Sequence, residues 1–275
     1  IIKKNLFLKS FEWLINIYTV FIILTKINLV KMKKKILIFI VTFKASFRVL
    51  NLIKKIPFKK LSKYNFEIYI SDDNSNDKIT IKYINLVKSK FRSKVKLNFN
   101  KKNLGYGGNI KKCILYGFKK KFDYAVMLHG DNQYNPKYII KMLKLIINSK
   151  KNAAISGSRM LNKSMALKGK MPLYKYIGNI VLTKIFNFLF NTKFTDCHTG
   201  YWAYDLKKVN KKYFINSDNK FCFDIDLRLQ LINDMKHISE IPIKTFYGTE
   251  RSSVHIIYAI RFFLKILKFK IFKTL

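Results

Sequence analysis

The chain has 275 residues, nearly half of them hydrophobic, and a formal net charge of +40 at pH 7. That length allows one large domain with short appendages and a sizeable core. Three cysteines, Cys113, Cys197 and Cys222, show no CxxC spacing, so a disulfide framework and a cysteine-based zinc site are set aside in favour of free thiols in a reducing compartment.

Lysine supplies nearly all of the charge, beside heavy use of Ile, Asn and Phe, which reads as a compositional bias of the genome. A surface this positive attracts nucleotides, anionic lipid and nucleic acid alike. Long arginine clusters interleaved with aromatics are missing, so no specific nucleic-acid partner is expected.

Residues 5–30 are apolar but carry Lys9, Glu12 and Lys26, and the clean run from Leu14 to Leu24 is too short to span a bilayer comfortably. No small-residue cleavage site follows it. Met32 opens MKKKILIFIVTF, which reads as a natural start followed by a first strand. Residues 1–31 are therefore expected to be an upstream in-frame extension or a membrane-associated helix.

From Lys35 onward, apolar runs alternate with helical patterns. Strands are expected at 36–42, 66–70, 95–99, 124–128 and 153–156. Helices are expected at 47–56, ended by Pro57; at 77–88, with Asp77 as N-cap; at 109–120; and at 136–148, with proline in its first turn. Beyond Arg159 the pattern predicts a helix through MPLYKYIGNIVLTKIFNFLFN, a polar and aromatic loop TDCHTGYWAYD leading into a short strand, a helix at 221–235, a strand at 237–246 and a basic helical tail at 252–272. Such alternation predicts an α/β fold, a mostly parallel central sheet with helices on both faces.

In such sheets ligands bind beyond the carboxyl ends of the strands. Three polar clusters, SDDNSND, HGDNQ and GSR, each follow a strand directly. The adjacent carboxylates Asp72 and Asp73 suit a ribose hydroxyl or a base N–H, and equally an Asx turn that caps the next helix. Asp131 and Gln133 offer oxygen ligands to Mg²⁺ or Mn²⁺, and His129 a nitrogen that favours Mn²⁺. Gly107 and Gly108, in GYGGN, are candidates for close backbone approach to a phosphate, against a tight turn. Arg159 suits bidentate phosphate contact. Asp224 and Asp226 lie two apart on a helix, so one is expected to face the site and the other solvent.

Taken in order, IFIVTF, YISDDNSND, NLGYGGN, MLHGDNQYNP, GSRM, MPLYKYIGN, HTGYWAYD, FCFDIDL and EIPIKTFY resemble the family-2 glycosyltransferases, and within them the dolichyl- or polyprenyl-phosphate sugar synthase branch. The resemblance spans about residues 36–250. It implies the nucleotide-diphospho-sugar transferase (GT-A) fold, with a catalytic domain at 32–251 and the tail, 252–275, as an appended basic amphipathic helix. It implies that Asp72 and Asp73 hold the nucleoside, that Asp131 binds metal and diphosphate with help from Gln133, and that Arg159 meets phosphate. The chain departs from the family pattern at three points. His129 replaces the first aspartate of the D-x-D motif, Phe43-Lys44 stands where an Asn-Glu-like pair is usual, and Trp202 replaces an arginine, so that Tyr201 and Trp202 are expected to stack on a sugar.

The activity so implied is inverting transfer from a UDP- or GDP-sugar to a membrane-linked acceptor such as polyprenyl phosphate. Extension of a soluble or surface glycan, or a non-catalytic nucleotide-sugar-binding role, stands as the alternative. A hydroxyl acceptor needs a base, for which Asp224, Asp226 and, less favoured, His198 are candidates. The tail suits an anionic membrane surface, giving a cytoplasmic protein peripheral on the inner face of the plasma membrane.

Overall fold

The computed structural model describes residues 13, 15–19, 33–91, 93–247, 256–273 and 275. The chain divides into two units, Ile1–Lys33 and Lys34–Leu275. In the first, residues 15–19 are helical; the remaining expectations for 1–31 fall outside the described residues.

The second unit is built on a seven-stranded sheet in the order β3-β2-β1-β4-β6-β5-β7, formed by β1 Lys35–Thr42, β2 Asn65–Asp72, β3 Val95–Phe99, β4 Tyr124–His129, β5 Asn152–Ser158, β6 Trp202–Asp205 and β7 His237–Pro242. β1 pairs in parallel with β2 and β4, and β2 with β3. β6 runs antiparallel between β4 and β5, and β7 is parallel to β5. Two antiparallel steps restore the direction, so every strand except β6 ends on the same edge of the sheet. β6 begins there.

β1 is apolar at almost every position because both of its faces are covered. Ile36, Ile38 and Ile40 point to one layer, packed by α1 Arg48–Lys54, α3 Lys78–Lys90 and α5 Ile139–Asn148. Leu37, Phe39 and Val41 point to the other, against Ile110 and Ile114 of α4 Tyr106–Lys119 and Phe223 and Leu227 of α9 Phe223–Asn233. The short helices α2 Phe58–Leu61, α6 Lys163–Lys168 and α8 Lys211–Asn216 fill connections. A third cluster joins Phe186 of α7 Leu173–Phe190 to Ile225 and Leu229 of α9 and to Phe262, Ile266 and Phe269 of α10 Ile256–Phe272. The C-terminal helix thus packs on the rest of this unit.

Most expected elements stand where the periodicity puts them. Asp77 caps α3, its carboxylate accepting from the Ile79 and Thr80 N–H groups. α4 starts three residues before the expected Asn109, because Gly105 takes φ +80° as the N-cap and Gly107 and Gly108 join the first turn. β2 and β5 run on to Asp72 and Ser158, which carries their polar ends into the ladder. Among the described residues no helix is long and apolar enough to cross a membrane.

α7 is unusual. Its buried positions are Asn179, Thr183 and Phe186, whereas Leu173, Ile177, Val181 and Phe188, spaced four, four and seven apart along one face, are exposed, Phe188 by 87%. On α10, Ile260, Leu264, Ile271 and Phe272 are likewise exposed.

Candidate active site

The carboxyl edge of the sheet brings the three polar clusters together. Asp73 N–H donates to the Thr42 carbonyl and Gly130 N–H to that of Val41, so the turns after β2 and β4 both lie against the end of β1. From β2 to β5 is four strand spacings of about 4.8 Å, roughly 19 Å along the rim.

At the β2 end, Asp72 accepts from Thr42 Oγ1 at 3.0 Å and from Ser75 N–H at 2.8 Å. Asp73 accepts from Asn100 Nδ2 at 2.9 Å and Leu104 N–H at 2.8 Å. Both carboxylates are buried and bonded to protein groups. Asp72 thus closes the turn through Ser75, while the cap of the next helix is Asp77.

At the β4 end, Gly130 sits so tightly against Thr42 that a Cβ would lie 2.4 Å from its Cγ2. Asp131 then turns outward; its Oδ1 accepts from Gln133 N–H at 2.9 Å, which leaves Oδ2 facing away from that bond. Asn132 takes φ 63° to complete the turn, carrying Gln133 beside Asp131. His129 is partly buried, its Nε2 lying 3.2 Å from Tyr106 Oη and its ring edge-on to Tyr134 at 4.9 Å. Burial holds the imidazole below its ordinary pKa; Asp131 opposes this and Arg159 reinforces it. The ring's ε edge is turned to Tyr106. Among the described residues no three His, Cys, Asp or Glu side chains cluster as a metal cage. One carboxylate and one amide at a strand end fit a hard divalent cation whose remaining ligands are phosphate oxygens and water.

At the β5 end, Arg159 forks onto Asp196: Nε donates to Oδ2 at 2.7 Å and Nη2 to Oδ1 at 2.9 Å, while Nη1 donates to Tyr247 Oη at 2.9 Å. Burial alone would raise the Asp196 carboxyl; Arg159, with Asn179 of α7, holds it well below the ordinary range instead. Glu240 of β7 accepts from the backbone N–H groups of Thr195 and Asp196 and fixes this loop. Arg159 is thus aligned by protein contacts, with donor capacity left on its Nη atoms.

Asp224 closes the site from α9. It is buried, and Tyr106 Oη donates to its Oδ2 at 2.8 Å. Burial raises its carboxyl to about 7, tempered by Tyr106 and by Arg228. Its Oδ1 has no hydrogen-bond partner among the described residues.

Several expectations are corrected. Asp226 does not face solvent or the rim: it is fully buried and paired with Lys265 of α10 at 2.5 Å. Gly107 and Gly108 do not cradle a phosphate, since a Cβ on Gly107 would fall 2.1 Å from the Asp218 carbonyl and Gly108 N–H already donates to Asn219 O. Tyr201 and Trp202 have no exposed surface and cannot stack on a sugar; Trp202 packs on the Arg228 guanidinium at 4.7 Å. His198, held near pKa 4 by burial against the pull of Asp196, packs on Phe262 and is no base at the rim.

Residues that sequence reasoning passed over are Tyr106, Tyr134, Asp196 and Glu240. Tyr106 lies inside the quoted GYGGN, where the glycines drew attention, and Asp196 inside TDCHTG, where the histidine did. No spacing rule links Asp196 to Arg159, 37 residues away.

The Glycosyl transferase family 2 model matches residues 37–214. A UDP-N-acetylglucosamine–dolichyl-phosphate N-acetylglucosaminyltransferase of Methanococcus voltae is 30% identical over 185 residues, 64% of this chain and 70% of that protein. Among solved structures, glucosyl-3-phosphoglycerate synthase from Mycobacterium tuberculosis, in complex with Mn²⁺, UDP and phosphoglyceric acid, aligns with a TM-score of 0.60 at 10% identity, over 86% of this chain and 78% of the other. A mannosyltransferase from Pyrobaculum calidifontis, in complex with GDP-mannose and Mn²⁺, aligns at 0.56 and 8% identity, over 86% and 65%.

Proposed function

Because the chain belongs to glycosyl transferase family 2, and is a glycosyltransferase of GT-A fold that uses a nucleotide sugar, we propose that it transfers the sugar with inversion to a membrane-linked phosphate of the polyprenyl or dolichyl type. The single observation that carries the reading is the shared rim: Asp73, Asp131 and Arg159 stand at the ends of three parallel strands of one edge. A UDP- or GDP-sugar laid along it sets the nucleoside near Asp72 and Asp73 and the diphosphate between Asp131 and Arg159.

Asp131, with Gln133, would hold Mg²⁺ or Mn²⁺, with His129 as the further candidate ligand beside them. Bound there, the cation would neutralise the departing diphosphate. Arg159 adds oriented Nη donors without rearrangement, since Asp196 already holds the guanidinium in place. The acceptor oxygen attacks the anomeric carbon as the carbon–oxygen bond to the nucleoside diphosphate breaks. A phosphate oxygen is anionic at pH 7 and needs no base. The Methanococcus voltae relative is named for a dolichyl-phosphate acceptor, which supports this choice. So do the exposed apolar faces of α7 and α10, which carry Lys184, Lys268 and Lys270 and suit the surface of an anionic leaflet. That docking corresponds to a protein peripheral on the inner face of the plasma membrane, with 32–251 as catalytic domain and 252–275 as the interfacial helix.

Asp224 favours one second reading. A buried carboxyl with a pKa of about 7 would accept the proton of a sugar hydroxyl, so extension of a soluble or surface glycan is the alternative.

The test is transfer from labelled UDP- and GDP-sugars, with Mn²⁺ or Mg²⁺, to lipid phosphate or oligosaccharide. Organic-phase label is expected, and Asp131→Ala should lose at least about 100-fold in turnover, the scale of one lost electrostatic contact, while staying folded. Near-normal turnover in that variant would remove Asp131 from the site.

A further inference from the structure

The carboxylate expected to take part in the chemistry, Asp226, instead joins two other parts of the chain. Its Oδ2 accepts from Lys265 Nζ of α10 at 2.5 Å and from the Asp218 N–H at 2.7 Å. Asp218 belongs to the loop 217–222, between α8 and α9. That loop lies on the start of α4: Gly108 N–H donates to the Asn219 carbonyl at 3.0 Å, and Gly107 leaves no room for a side chain beneath Asp218. Phe221, from the same loop, stacks over the Tyr106 ring at 5.9 Å. Tyr106 is the residue that meets both His129 and Asp224.

A buried carboxylate needs its counter-charge, and removing one partner of such a pair leaves the other uncompensated. Lys265 is the cation held against the Asp226 carboxyl, on the same Oδ2 that receives the Asp218 N–H. Lys111 also reaches the loop, Nζ to Asn219 Oδ1 at 2.7 Å, but makes no direct bond to Asp226.

We infer that Lys265 is a positioning residue: through Asp226 it clamps the 217–222 loop onto the glycine-rich start of α4 and so fixes Tyr106 between His129 and Asp224. The inference rests on the proposed transfer reaction for its functional half only. Both members of the pair lie beyond residue 214, where the family match ends.

The experiment compares the full chain with Lys265→Met, Lys265→Arg, the charge-neutral pair Lys265→Met/Asp226→Asn, and Lys111→Met as a surface control. Hydrogen exchange of peptides covering 104–110 and 216–222 is read without any substrate. In Lys265→Met it should speed by about tenfold or more in both peptides while β1 and β4 stay protected, local opening being what exchange reports. Lys265→Arg should restore protection, and Lys111→Met should leave it near wild type. The neutral pair, which buries no lone charge, should fold even where Lys265→Met does not, with the same faster exchange. In the transfer assay Lys265→Met should lower kcat by about tenfold with the donor KM within about twofold, since the donor contacts lie elsewhere on the rim. Unchanged exchange at 104–110 in both Lys265→Met and the neutral pair overturns the clamp. Faster exchange with unchanged kcat overturns its role in positioning. An inactive wild type with the expected exchange pattern would fail the transfer reading and leave the clamp standing.

Discussion

Two buried side chains show how residue environment divides roles at the rim. Arg159 is surrounded by acceptors and has Asp196 as a forked partner; lysine keeps the charge but not the planar fork. Arg159→Lys should therefore lower stability by about 1–3 kcal/mol, read by urea denaturation, with Asp196 left under-bonded. Asp224 behaves oppositely, because burial raises its carboxyl to about 7 from 3.8. Between about pH 4 and 7 the native state keeps a proton that the unfolded chain has shed. This stabilisation is complete below pH 4 and disappears as pH rises through 7. Asp224→Asn mimics the protonated form, so it should match wild type near pH 4 and exceed it at pH 8 by roughly 2–4 kcal/mol. At this scale the positions of Asp131 and Arg159 just past strand ends were legible, since each comes soon after an apolar run. Tyr106 and Asp196 were not, since their partners are 118 and 37 residues away in the chain.

At the scale of elements, packing partners decide what the glycines of α4 and the faces of α7 do. Gly107 looked like a phosphate turn and is a packing necessity. Gly107→Ala should destabilise by about 1–3 kcal/mol or more, the range for overpacking, seen as a lower urea midpoint. α7 reverses the usual amphipathic logic: Asn179 and Thr183 point inward, Asn179 donating to Asp196 Oδ1 at 2.9 Å, while an apolar stripe points out. Phe188→Ser should leave stability within about 0.5 kcal/mol, as for other surface changes, yet weaken binding to anionic vesicles in flotation. Equal flotation would separate this helix from the membrane. Element positions followed from periodicity, but α7's orientation did not, because apolar residues occupy most of its circumference and only the neighbours choose which side is covered.

For the whole molecule, the net charge of +40 sets the long-range behaviour. Vesicle association should fall steeply between low and physiological salt, as the screening length shrinks to about 8 Å, and should be weak on zwitterionic vesicles. Two copies of so positive a chain repel each other, which favours an anionic surface over self-association as the cover for the exposed apolar faces.

The sequence by itself determined that strands and helices alternate, that the strands lie in a mostly parallel sheet, and that polar groups collect at its carboxyl edge. These follow from local periodicity and from where apolar runs stop. Only the tertiary structure decided that β6 runs antiparallel, that Asp196 orients Arg159, and that Asp226 serves Lys265. Each of these depends on which distant segment arrives to satisfy a buried charge or an open strand edge, and no local pattern encodes that meeting.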